Sequence, residues 1–185
     1  MAFDDSDYSR TGAALVIEML ADLSLADKLA VMTACTDSVA GVVPRDLDGA
    51  GALKFFDVTY EQGDRLTAIA ARALPVVDSD GLWAIDARTF PAWVADRLHV
   101  TRARAHRLTR LGRALRDELP LTAHAVVSGG PGRVNTEVAE ILVRTAATSA
   151  ARRDALVDPA SDSGEQFLLA QARTMPADEF RDFAR

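Results

Sequence analysis

Apolar residues recur along the chain at intervals of three and four, and the strict alternation that marks strands is almost absent. Ala14, Leu15, Ile17, Met19 and Leu20 predict a first helix ending near Asp22. Ser24, with Asp27 three residues on in a capping-box-like position, opens a second helix through about Val39. Residues 41–54 (GVVPRDLDGAGALK) hold four glycines and prolines and read as a loop or broken helix. Helical spacing returns from Val58 to Val77, with Leu66, Ile69, Ala70, Ala73 and Leu74 on one side. Pro75 is expected to end or kink that helix, and Asp78-Ser79-Asp80-Gly81 to form a turn.

Thr89, followed by Pro91, opens a short helix to His99, and Thr101 caps a longer one to about Glu118. Pro120 starts a short helix that stops at Ser128-Gly129-Gly130-Pro131-Gly132. Asn135 caps a helix to about Thr148, with Val138, Ile141, Leu142 and Thr145 inward. A loop over Asp158–Gly164 precedes a helix over Glu165–Arg173. Pro176 opens a last helix, bearing Phe180 and Phe183, that is still running at Arg185. The predicted fold is all-α, a multi-helix domain with a helix-turn-helix-like pair. An acidic tail (1–10) precedes a single helical domain (11–185), whose last helix reads as cut short, as in a piece of a longer protein.

Composition narrows the class. The chain has 185 residues, 49% hydrophobic and 26% charged, enough to bury a core and unlike a disordered chain. A single cysteine, Cys35, excludes a disulfide scaffold and a Cys-ligated zinc site, and fits a reducing, cytoplasmic setting. Cys35 itself, beside Val31, Met32 and Ala34, is expected to be a buried structural thiol. No apolar run approaches a membrane span, and the start MAFDDSDYSR is too acidic for a secretory signal.

A net charge of -6 argues against nucleic acid until its distribution is read. Residues 1–64 carry a net -8, whereas residues 97–116 carry seven arginines and no acid. Local field decides what a surface attracts, because screening confines interactions to about 8 Å at physiological salt. The 19 arginines against 2 lysines partly reflect composition throughout the chain, so arginine content alone carries little weight.

The basic run lies in TFPAWVADRLHVTRARAHRLTRLGRALRDEL, residues 89–119. The first helix is expected to bury Phe90, Trp93, Val94 and Leu98, and Val100 to fill the angle after a short turn. In the second, Ala105, Leu108, Leu111, Gly112, Leu115 and Leu119 share a narrow arc. Arg102, His106, Arg110 and Arg113 fall opposite, with Arg107 and Arg116 flanking. Arg104 lies near the apolar edge, where pairing with a carboxylate is expected. Two helices joined by a tight turn, the second cationic outward, match the layout of a recognition helix. Only Thr101 and Thr109 supply neutral polar groups beside the arginines, so phosphate contact is better supported than base reading. The candidate DNA-binding residues are Arg102, His106, Arg107, Arg110 and Arg113. The alternative is a protein-interaction or oligomerisation module whose basic helix docks on acidic surface of its own or another chain. Burial of Arg102, Arg110 and Arg113 against carboxylates is the outcome that would defeat the DNA reading.

Several short runs carry a resemblance: Gly81-Leu82-Trp83, Trp93-Val94-Ala95, Arg110-Leu111-Gly112-Arg113-Ala114-Leu115 and Leu119-Pro120-Leu121-Thr122-Ala123. Gly132-Arg133-Val134 and Met175-Pro176-Ala177-Asp178-Glu179-Phe180 extend it. Over about residues 60–185 the chain resembles the domain-of-unknown-function 222 family, the N-terminal helical region of actinobacterial "13E12 repeat" HNH endonuclease-like proteins. The resemblance implies a helical domain accompanying a C-terminal HNH nuclease module, which this sequence does not contain. The run 128–132 is longer than the corresponding step of the family.

No residue set for chemistry is expected. His99, His106 and His124 lack the Asn-His pairing and strand pattern of an HNH site. The glycines of 129–132 lack the Gly-Lys-Ser/Thr ending of a phosphate loop. Glu137 and Glu140, three apart, read as a solvated face rather than half of a metal centre. The expectation is a non-catalytic chain with no metal or cofactor.

Overall fold

The computed structural model describes residues 15–130, 132–158, 161 and 163–185; the acidic tail 1–10, Ala14 and Pro131 lie outside them. Among the described residues every regular element is a helix or a 3₁₀ turn, so the fold is all-α. The chain divides into two units, residues 1–53 and 54–185, a finer division than the single stretch 11–185 read from the sequence.

The first unit holds α1 (15–21) and α2 (Leu25–Ala40), then a 3₁₀ turn at Pro44–Asp46. Ser24 is the N-cap of α2: its hydroxyl accepts from the Asp27 N–H, satisfying one orphan donor of the first turn. None of the described residues of this unit is buried. Leu25, Leu29, Met32 and Val39 share a face of α2 and are all exposed, and so is Cys35. The expected buried thiol is thereby corrected: helical spacing gave α2 an apolar side, but none of its residues reaches a core.

Helix α3 (Gly49–Asp80) starts earlier and ends later than its sequence predicts. Gly49 and Gly51 weaken a helix, yet the Asp48 carboxylate accepts the Gly51 N–H at 2.7 Å and fixes the first turn there. Pro75 lies inside α3 and does not end it. The missing N–H removes only the partner of the Ala71 carbonyl, and the Ser79 hydroxyl donates to the Pro75 carbonyl at 2.8 Å across the next turn. Asp78 to Asp80 are therefore helical, and Gly81, at φ 70°, ends the run in the left-handed region.

The buried face of α3 also differs from the expected one. Leu66, Ile69, Ala70 and Ala73 are exposed, whereas Ala68, Ala71 and Pro75 are buried. A close helix crossing selects the smallest side chains, and these give a weak hydrophobic signal.

The rest of the second unit comprises α4 (Phe90–Leu98), α5 (Arg102–Asp117), α6 (Pro120–Val127), α7 (Thr136–Ala146), α8 (Ala150–Val157), α9 (Glu165–Ala172) and α10 (Ala177–Phe183). Helix α5 packs on α4, α6 and α7, and α7 packs in turn on α8 and α10. The main core joins Leu108, Leu111 and Leu115 to Leu142, Leu156, Leu168 and Phe180. Val138, Ile141, Leu142 and Thr145 are buried as their spacing predicts. Helix α8 was not anticipated: its one buried residue is Leu156, and Ser149 supplies the cap by accepting the Arg152 N–H.

Polar anchors tie the helices together. The Asp64 carboxylate on α3 accepts the Thr136 N–H at 3.1 Å and the Thr136 hydroxyl, and it pairs with Arg133 at 2.5 Å. An anion thus sits at the N-terminus of α7, where the helix dipole favours it. Glu165 does the same for α6. Buried at 3% exposure, its carboxylate accepts the N–H groups of Leu121 and Thr122 and joins α9 to α6.

Candidate nucleic-acid interface

The α4–α5 pair is built by local chemistry at both ends of a three-residue turn. Thr89 caps α4 by accepting the Ala92 N–H, and Thr101 caps α5 by accepting the Arg104 N–H. Helix α4 ends in a Schellman motif. The Val100 N–H donates to the Ala95 carbonyl at 3.0 Å and the His99 N–H to the Asp96 carbonyl at 3.4 Å, while His99 adopts φ 52° and ψ 41°. Val100 then packs on the cluster of Phe90, Val94, Ala95 and Ala105, as its sequence position predicts. Trp93 is half-buried, stacked on Phe90 at 5.9 Å with the Arg97 guanidinium 5.3 Å over its ring. Leu98 was expected inside but is 50% exposed. It is the last residue of α4, beyond which the left-handed His99 turns the chain away.

The apolar side of α5 is buried as the 100° periodicity requires: Ala105, Leu108, Leu111, Gly112 and Leu115 face the core. Arg102, His106, Arg107, Arg110 and Arg113 are all exposed. Their pairing divides them. Arg113 reaches Asp78 of α3 at 2.5 Å. Arg107 approaches Glu140 of α7 at 3.7 Å, and Arg104 bonds the same carboxylate at 3.2 Å, the pairing its edge position predicts. Arg116 grips the adjacent Asp117 in a bidentate pair at 2.7 and 2.9 Å. Among the described residues, Arg102, Arg110 and the His106 side chain make no ion pair or hydrogen bond.

Thr109 is buried at 4% exposure, and its hydroxyl donates to the His106 carbonyl. Thr109 thus faces inward and the exposed Thr101 sits at the start of α5 as its cap, which leaves the outward row of the helix to guanidinium groups and one imidazole.

Three of the sequence-predicted residues, His106, Arg107 and Arg110, line a groove of about 290 Å³ between α5 and α7. Its other wall is Glu140, Val143 and Arg144. Glu140 is not part of a solvated face, as its spacing from Glu137 suggested; its side chain is 17% exposed and bridges two arginines of α5. Glu137 pairs separately with Arg181 of α10 at 2.9 Å. Arg144 escaped the sequence reading. It stands one turn beyond Glu140 on α7, a spacing visible in the sequence, but only the packing of α7 on α5 brings it to the groove.

Elsewhere the Ser128 hydroxyl lies 3.3 Å from His124 Nε2 and donates to the His124 carbonyl at 2.7 Å. Among the described residues no three His, Cys, Asp or Glu side chains gather as a metal site. No helix of the described residues is long and apolar enough to cross a membrane.

The family described as "Domain of unknown function (DUF222)" matches residues 58–185. No curated protein matches the chain, and no solved structure does.

Proposed function

The chain belongs to the DUF222 family, and from that premise we propose that it binds duplex DNA through the exposed face of α5, chiefly at phosphates. On this reading α4 and α5 act as a helix-turn-helix-like pair. α4 braces the turn, while Arg102, His106, Arg107 and Arg110 meet the sugar-phosphate backbone, with Arg113 at the edge. The observation that carries the reading is the state of Arg102 and Arg110. Both are exposed and, among the described residues, unpaired, in a protein whose net charge is -6. Guanidinium groups donate in a planar fork suited to phosphate oxygens, and each contact releases condensed counterions. The chain holds and positions DNA in a cytoplasmic setting, and any cutting chemistry comes from an HNH module outside it.

The test is a salt titration of binding to a labelled duplex by fluorescence anisotropy. Affinity is expected to fall steeply with salt, and Arg102→Glu with Arg110→Glu to abolish it. Absence of binding at about 50 mM salt, or binding indifferent to salt, defeats the reading.

The pairing of Arg104, Arg107 and Arg113 with carboxylates favours a second reading, in which the same face docks on acidic protein surface. Self-association that weakens with salt, measured by light scattering in the absence of DNA, is its signature.

A further inference from the structure

We propose that the groove between α5 and α7 is a phosphodiester-binding site, and that Arg144 is the α7 contact that completes it. This rests on the DNA-binding reading and gives it a second wall. The groove floor is apolar, from Leu111 and Val143, while Arg107, Arg110 and Arg144 stand at its rim against a single carboxylate, Glu140. The three guanidinium groups leave an excess of two positive charges, and Arg104, bonded to the same carboxylate at 3.2 Å, adds a third at the edge. A low-dielectric floor strengthens the attraction of these groups for an anion.

Glu140 does not repel a phosphate from this position so much as hold the cations in place. With one oxygen on Arg104 and the other on Arg107, it fixes both guanidinium groups against α7. Arg144 makes no ion pair among the described residues and is exposed. It also lines a second hollow of about 220 Å³, shared with Arg181 and Arg185. Arg181 and Arg185 are paired there with Glu137 and Asp182, so Arg144 is, among the described residues, the unpaired cation between the two hollows.

Two features select a polyanion over a small free phosphate. Arg107, Arg110 and Arg144 stand side by side along an open groove, with Arg104 at its edge, matching repeated charges rather than one. The donors of the groove are side chains, and Arg144 lies in the last turn of α7, away from the backbone N–H groups that enclose a small anion at a helix N-terminus.

The test compares the unaltered chain with Arg144→Gln, Arg144→Lys and Arg88→Gln by salt-titrated duplex binding. Arg88 is exposed and outside the groove, so its variant matches the loss of charge. One lost phosphate contact lowers the slope of log K against log salt by about 0.9. Arg144→Gln is expected to show that drop with roughly tenfold weaker binding at low salt, Arg144→Lys to keep the slope, and Arg88→Gln to leave it unchanged. Unchanged thermal unfolding of Arg144→Gln shows that the loss is one of contact. If the unaltered chain binds but Arg144→Gln keeps its slope, or Arg88→Gln loses as much, the groove is overturned while the DNA reading stands. If the unaltered chain does not bind, both fall.

Discussion

The carbonyl oxygen of Ala71 occupies the place that a side-chain carbon on Gly112 would need. A Cβ built on Gly112 would lie 2.0 Å from that oxygen and 3.3 Å from Pro75 Cδ. The two features explain each other. Pro75 deprives the Ala71 carbonyl of its helical donor, and the hydrogen of Gly112 that points toward it supplies a weak C–H···O contact. Gly112→Ala is therefore expected to force α3 and α5 apart and cost about 3 kcal/mol or more, read by chemical denaturation. No loss, or a gain of up to about 1 kcal/mol as helix propensity alone would give, would show that the crossing is loose.

His99 is the only residue other than glycine at positive φ among the described residues, and it pivots the α4–α5 turn. An L side chain in that region is strained, and glycine is not. His99→Gly is expected to stabilise the chain by about 1 kcal/mol, since the exposed imidazole makes no hydrogen bond or ion pair among the described residues. A lower midpoint of thermal unfolding for this variant would count against the Schellman geometry.

Glu165 holds the first turn of α6 from another helix. Leu119 precedes Pro120 without a capping side chain, so the N–H groups of Leu121 and Thr122 depend on this buried carboxylate. Glu165→Ala leaves the buried Thr122 donor and the part-buried Leu121 donor without their acceptor and is expected to cost about 1–3 kcal/mol. Glu165→Gln keeps an acceptor and is expected to cost less. Equal losses for the two variants would mean that packing rather than capping matters at this position.

These contacts also mark what the sequence could and could not tell. Caps are local, so Ser24, Thr89, Thr101 and Asn135 each accept the N–H their position predicts. Wide apolar stripes are legible too, as in α5 and α7. The face of α3 was not, because Ala68, Ala71 and Gly112 carry little hydrophobic signal while exposed Leu66 and Ile69 carry much. The outward row of α5 followed from 100° per residue. Its partners did not, since Asp78 and Glu140 stand 35 and 36 residues away and only tertiary packing joins them. Arg144 belongs to the same class of residue.

Asp117 titrates below the usual carboxylate range because it accepts two hydrogen bonds from Arg116, with the nearby positive charge adding to the effect. A carboxyl whose value is lowered on folding contributes stability that is present above its unfolded value and lost as pH falls through its folded one. The exposure of the pair to solvent keeps that contribution small. Arg116→Gln is expected to return the Asp117 midpoint toward the ordinary range, followed by carboxyl carbon NMR. An unmoved midpoint would assign the shift to something other than Arg116.

On the DNA-binding reading, Asp78 competes with phosphate for Arg113. The pair is 2.5 Å apart, with the arginine 54% and the aspartate 22% exposed, so the guanidinium is reachable but already engaged. Arg110, one turn earlier on the same face, has no such competitor among the described residues. On the DNA-binding reading the two arginines therefore behave differently. Arg110→Gln is expected to lower the salt slope by about 0.9, and Arg113→Gln by clearly less. Asp78→Asn removes the competing charge and releases Arg113, so it is expected to tighten duplex binding and steepen its salt dependence. Its cost to the fold is that of a half-exposed pair, about 0.2–1 kcal/mol. Anisotropy titrations of the three variants at matched salt decide the matter. Equal losses at Arg110 and Arg113, together with unchanged binding by Asp78→Asn, would mean that the α3–α5 pair does not govern access to this face.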